Sequence, residues 1–83
     1  WREVDDALSA SRAAAERISV SEGNLASRRR TRAMVEVRYA RGDVAALPLL
    51  EARQAVLSAE LAVVRQHVAA SLAHIQLHRA LGS

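Results

Sequence analysis

The sequence predicts an all-α fold: a long antiparallel helical hairpin, coiled-coil-like, forming a single unit over residues 1–83. Three observations predict it. Ala makes up about one residue in five, and with Glu, Arg, Leu and Gln it gives a strong helix composition. Apolar residues recur at helical spacing along most of the chain. The turn signals gather in one stretch, "VRYARGDVAALPLLEARQ", residues Val37 to Gln54.

The first helix is expected over about residues 2–41. That stretch holds no Pro and one Gly, and Asp5 and Asp6 near its start favour a helix N-terminus. Val4, Leu8, Ala15, Ile18 and Leu25 give it an apolar seam. Gly23-Asn24 leaves open a three-helix alternative, broken there, because Gly costs about 1 kcal/mol against Ala inside a helix. Gly42 ends the helix, since Gly takes the left-handed conformation without a Cβ penalty, and Arg38 and Arg41 suit the negative end of the dipole.

The turn is expected over about residues 42–46. Asp43 is a plausible N-cap for the next helix, and Pro48 is tolerated only in a first turn. The second helix is expected over about residues 47–81, with Gly82 as its C-cap. It carries two apolar stripes. Leu50, Leu57, Leu61, Val64, Val68, Leu72 and Ile75 form one; Leu49, Ala52, Val56, Ala59, Val63, Ala70, Ala73 and Leu77 form the other, richer in Ala. A simple hairpin needs one stripe per helix, so two imply neighbours on two sides. In a lone hairpin the Ala-rich stripe is expected to be left exposed, which predicts self-association.

Composition restricts function. With no Phe, one Trp and one Tyr, a compact core would be weak. No apolar run approaches the roughly 20 residues of a membrane helix. The chain starts at Trp1 without an initiator Met or a targeting segment, which reads as a piece of something longer. The formal charge of +3 comes from Arg alone, and "SRRRTR" over residues 27–32 is the densest basic patch. No aromatic platform accompanies it, and Glu36 can pair with Arg32 at i, i+4, so it reads as a solvated helix face with no nucleic-acid partner.

His67, His74 and His78 share a helix face, and the i, i+4 pair His74 and His78 has metal-chelating spacing. No Cys or nearby carboxylate completes a set, so neither a metal nor another cofactor is expected. No nucleophile elbow or phosphate loop is present, and no enzyme is expected. Arg41-Gly42-Asp43 looks like an adhesion tripeptide, but last-turn cation, helix stop and cap account for all three residues.

The segments "EVDDALSASRAAAERI", "EVRYARGD", "LPLLEARQAVLSAEL" and "LHRALG" resemble, in order and spacing, the C-terminal helical segment of the TolC-like outer-membrane efflux family. The likeness covers nearly the whole chain. It implies one periplasmic hairpin of a homotrimeric channel of the cell outer membrane, a part of its periplasmic α-helical barrel. It further implies that the turn, Arg41, Gly42, Asp43 and Val44, is the periplasmic tip. There the family docks a periplasmic adaptor protein, and through it, indirectly, an inner-membrane transporter, in efflux or type I secretion. Tyr39 and Glu51 match positions that help close the inner constriction. Arg41, Asp43 and Arg32 depart from the small or apolar residues common at those positions. The alternative is a stand-alone coiled-coil interaction module with no membrane barrel.

Overall fold

The computed structural model describes residues 2–82. Two helices, α1 (Arg2–Ala40) and α2 (Ala46–Gly82), run antiparallel and pack against each other as a hairpin. The rod measures 61 × 13 × 12 Å between Cα extremes. Among the described residues there is no strand. α1 passes through Gly23-Asn24 without a break, so the three-helix alternative is not adopted. One exposed Gly costs about 1 kcal/mol, which the packing of α2 along the rest of α1 outweighs.

The seam of α1 differs from the expected one. Ala7 and Ala14 are buried, while Leu8 and Ala15 are exposed. Val4, Ala7, Ser11, Ala14, Ile18, Ser21, Leu25, Arg32 and Val35 form the inward, half-buried or buried row. Their spacing is a heptad-like pattern that mixes the small Ala7, Ser11, Ala14 and Ser21 with larger side chains. Within it the Ser21 hydroxyl donates to the Ile18 carbonyl at 2.9 Å, so its polar group is satisfied inside its own helix.

The two stripes of α2 take the opposite roles from those expected. Leu49, Ala52, Val56, Ala59 and Ala73, all from the Ala-rich stripe, are the buried residues facing α1. Leu50, Leu57, Leu61, Val64, Val68, Leu72 and Ile75, each about half exposed, line the outer face. Small residues let two long helices approach closely along their whole length, whereas a Leu-rich seam holds them further apart. The bulky stripe is therefore the one left for another neighbour.

Two cross-helix ion pairs fix the register on one flank. Arg29 Nη2 lies 3.4 Å from Glu60 Oε2, and Arg53 Nε lies 3.3 Å from Glu36 Oε1. Glu36 thus pairs across the hairpin with Arg53, not along α1 with Arg32. On the other flank α2 presents Ala55 and Ala62, the space beside them stays open, and Arg17 Nε donates to Gln66 Oε1 at 3.3 Å across it. Three hollows there form one shallow groove: the middle one, of about 230 Å³, shares Arg28 and Ala55 with one of about 300 Å³ and Asn24 and Ala62 with one of about 510 Å³.

Candidate functional site at the hairpin tip

The tip is built by the backbone at the end of α1. Gly42 has φ 78°, the left-handed region, and no other described residue has a positive φ. Three hydrogen bonds close the helix end. The Arg41 amide donates to the Val37 carbonyl at 3.2 Å, Gly42 to Tyr39 at 3.0 Å and Asp43 to Arg38 at 2.8 Å. The last two are the paired bonds of a Schellman motif with Gly42 at C′, and they satisfy carbonyls that a bare helix end leaves open.

Asp43 is therefore part of the stop of α1 and not the N-cap of α2. α2 begins at Ala46, and no acidic residue stands in its first turn. Pro48 is the third residue of α2, within the first turn, where its missing N–H breaks no helical bond. At the far end Gly82 is the last helical residue, without the left-handed conformation expected of a C-cap.

Arg41, Gly42 and Asp43 are exposed and Val44 is half-buried. A Cβ built on Gly42 would meet nothing within 4 Å, so the turn presents open backbone to its surroundings. The tip thus offers charged side chains of both signs, open backbone at Gly42 and a half-buried apolar foot at Val44.

Tyr39 and Glu51 lie near the tip on different helices, and the hairpin does not join them. Both are exposed, and neither side chain makes a hydrogen bond or ion pair with a described residue. Glu51 lines the upper end of the flank groove and also a hollow of about 510 Å³ with Leu47, Leu50 and Gln54 on the outer face of α2. Its carboxylate is free for a partner from outside the hairpin. Arg53 is not its partner, because Arg53 is held by Glu36.

The basic run divides among different surroundings. Arg29 pairs with Glu60, Arg28 lines the flank groove, and Arg32 is half-buried in the seam. Such a division makes no continuous phosphate-binding face. Sequence reasoning missed the flank groove and the exposed Leu stripe. The signal for both was residue size along the heptad, since the row that fits a close seam is the one rich in Ala.

Among the described residues no helix is long and apolar enough to cross a membrane. No curated protein and no solved structure matches the chain. The family model described as outer membrane efflux protein matches residues 1–83, the whole sequence. The match makes the chain a member of the outer membrane efflux protein family, a family of transport channels.

Proposed function

We propose that this hairpin is part of the periplasmic tunnel of a homotrimeric efflux channel, anchored in the cell outer membrane, and that its tip docks a periplasmic adaptor protein. The observation that carries this reading is the outer face of α2. Seven large apolar residues spaced along Leu50–Ile75 remain exposed after α1 is packed. A rod that is apolar on two sides of one helix needs a second helical neighbour, and a closed ring of helices supplies one to every hairpin.

Within that reading Arg41, Gly42, Asp43 and Val44 form the docking tip. The adaptor approaches the open backbone at Gly42, and the adaptor in turn reaches an inner-membrane transporter. Glu51 and Tyr39 stand at the inner constriction. Three copies of Glu51 around one axis would attract cations into the narrow passage.

Substitution at Gly42 in the full-length protein tests the docking role. Gly42→Leu puts a branched side chain on a left-handed residue and fills the open tip. Gly42→Asn keeps the turn, because Asn tolerates that conformation. The expected result is lost efflux for Gly42→Leu with normal outer-membrane assembly, and largely retained efflux for Gly42→Asn. Full efflux in Gly42→Leu rules out docking at this turn. Single-channel conductance tests the constriction: Glu51→Gln is expected to reduce cation preference, and an unchanged channel would remove Glu51 from it.

A further inference from the structure

The far end of α2 holds a side-chain pair that the tunnel wall does not need. His74 and His78 lie one helical turn apart, with ring centroids 4.5 Å apart and planes at 76°. Their Nε2 atoms are 3.0 Å from each other. Both residues are exposed, so no packing forces the rings together. The i, i+4 spacing does, by placing both side chains on the same side of the helix.

We propose that His74 and His78 form a two-ligand site for a divalent transition-metal ion, Cu²⁺ above all. The distance is the first argument. Two imidazole nitrogens bound to one ion at about 2.0–2.1 Å, at angles from 90° to 110°, stand about 2.9–3.4 Å apart. The observed 3.0 Å already falls in that range, at the end that suits the right-angled geometry of Cu²⁺. In the metal-free state one neutral ring donates its Nε2–H to the other Nε2. For the ion to bond both nitrogens, the donor ring moves its proton from Nε2 to Nδ1, so both neutral rings present an Nε2 lone pair and no net proton is lost.

The surroundings are the second argument. Both His74 and His78 are exposed, so the pair is open to an ion arriving from solvent. Among the described residues no group of three metal-ligating side chains exists, so water fills the remaining positions. Two of the four ligands of a structural site give a weak, exchangeable site, with a dissociation constant roughly micromolar, far from the affinity of a closed site. Cu²⁺ should bind more tightly than Ni²⁺ and Zn²⁺, by the usual order for nitrogen ligands.

The test is titration of the untagged full chain with Cu²⁺, followed by calorimetry and by electron paramagnetic resonance. One ion per chain is expected at the pair, with a signal from two nitrogen ligands. His74→Ala and His78→Ala should each weaken binding at least tenfold, and His67→Ala should leave it unchanged. The helix content of each variant, read by circular dichroism, guards against loss by unfolding. Bound ion should also clamp one turn and raise the thermal midpoint of the native chain but not of His78→Ala. Equal binding by the native chain and both pair variants would overturn the site, as would no binding by the native chain or an equal loss in His67→Ala.

Discussion

Gly42 supplies the one left-handed residue of the turn over residues 41–45. A residue with a Cβ at φ 78° pays about 1–2 kcal/mol, although nothing nearby would touch the added carbon. The cost is conformational, not steric. Gly42→Ala should therefore lower hairpin stability by about 1–2 kcal/mol, and Gly42→Asn by clearly less. Thermal unfolding followed by circular dichroism measures both, and equal effects would mean that the turn relaxes out of the left-handed region. Val56 makes the contrasting case, since it is 2% exposed and the largest fully buried side chain. Val56→Ala removes two methyl groups at about 0.8 kcal/mol each, so a loss of about 1.5–2.5 kcal/mol is expected once the small cavity is added. By comparison the Arg29–Glu60 pair, with both side chains about half exposed, should couple by at most about 1 kcal/mol in a double-mutant cycle.

At the scale of the element, the two helices are unequal. α1 turns one narrow row inward, fully burying only Ala7 and Ala14, and turns charged residues such as Arg12, Glu16 and Arg30 to solvent. α2 is apolar on both its inner and outer faces. Two substitutions two residues apart, on opposite sides of α2, separate these faces. Ala59→Leu inserts bulk into a seam position only 3% exposed and should destabilise the hairpin by about 1–3 kcal/mol. Leu57→Ala, at a position 61% exposed, should leave the hairpin's own stability within about 0.5 kcal/mol while weakening its self-association. Sedimentation and thermal unfolding together distinguish the two, and a large stability loss in Leu57→Ala would contradict the assignment of faces.

The hairpin, the strong stop at Gly42 and the two stripes of α2 were legible in the sequence, because Gly, Pro and helical periodicity act locally. The partner of each stripe was not. Hydropathy ranks the Leu-rich row as the better core, but close antiparallel packing selects the row that is small. The same blindness displaced the α1 seam by one residue at Leu8 and Ala15, where Ala7 and Ala14 do the packing. Asp43 was misassigned because capping chemistry looks alike on either side of a turn: an Asp after Gly can end one helix or start the next. Tyr39 and Glu51 stood out through likeness to a family, and within one hairpin no contact joins them.

At the scale of the whole molecule, the chain is a rod. Its radius of gyration is 18.6 Å, against about 12 Å for a compact domain of this length. Its accessible surface of 6213 Å² exceeds the roughly 4,900 Å² of a globule of the same mass. Surplus apolar surface concentrated on one helix face favours burial against a neighbour. Self-association of the isolated chain follows, driven by the Leu50–Ile75 face rather than the Ala-rich one.

The chain has no cysteine, so single thiols can report on that face without interference. The most direct measurement is the labelling rate of a Leu61→Cys variant by a small thiol reagent, in the full-length protein assembled in outer membranes and again in the isolated, dilute hairpin. The proposed tunnel wall requires strong protection in the assembled channel, by tenfold or more, and rapid labelling in the isolated hairpin. Equally rapid labelling in both would mean that no neighbouring helix covers the outer face of α2, and the hairpin would then be a free-standing coiled coil rather than part of a closed wall.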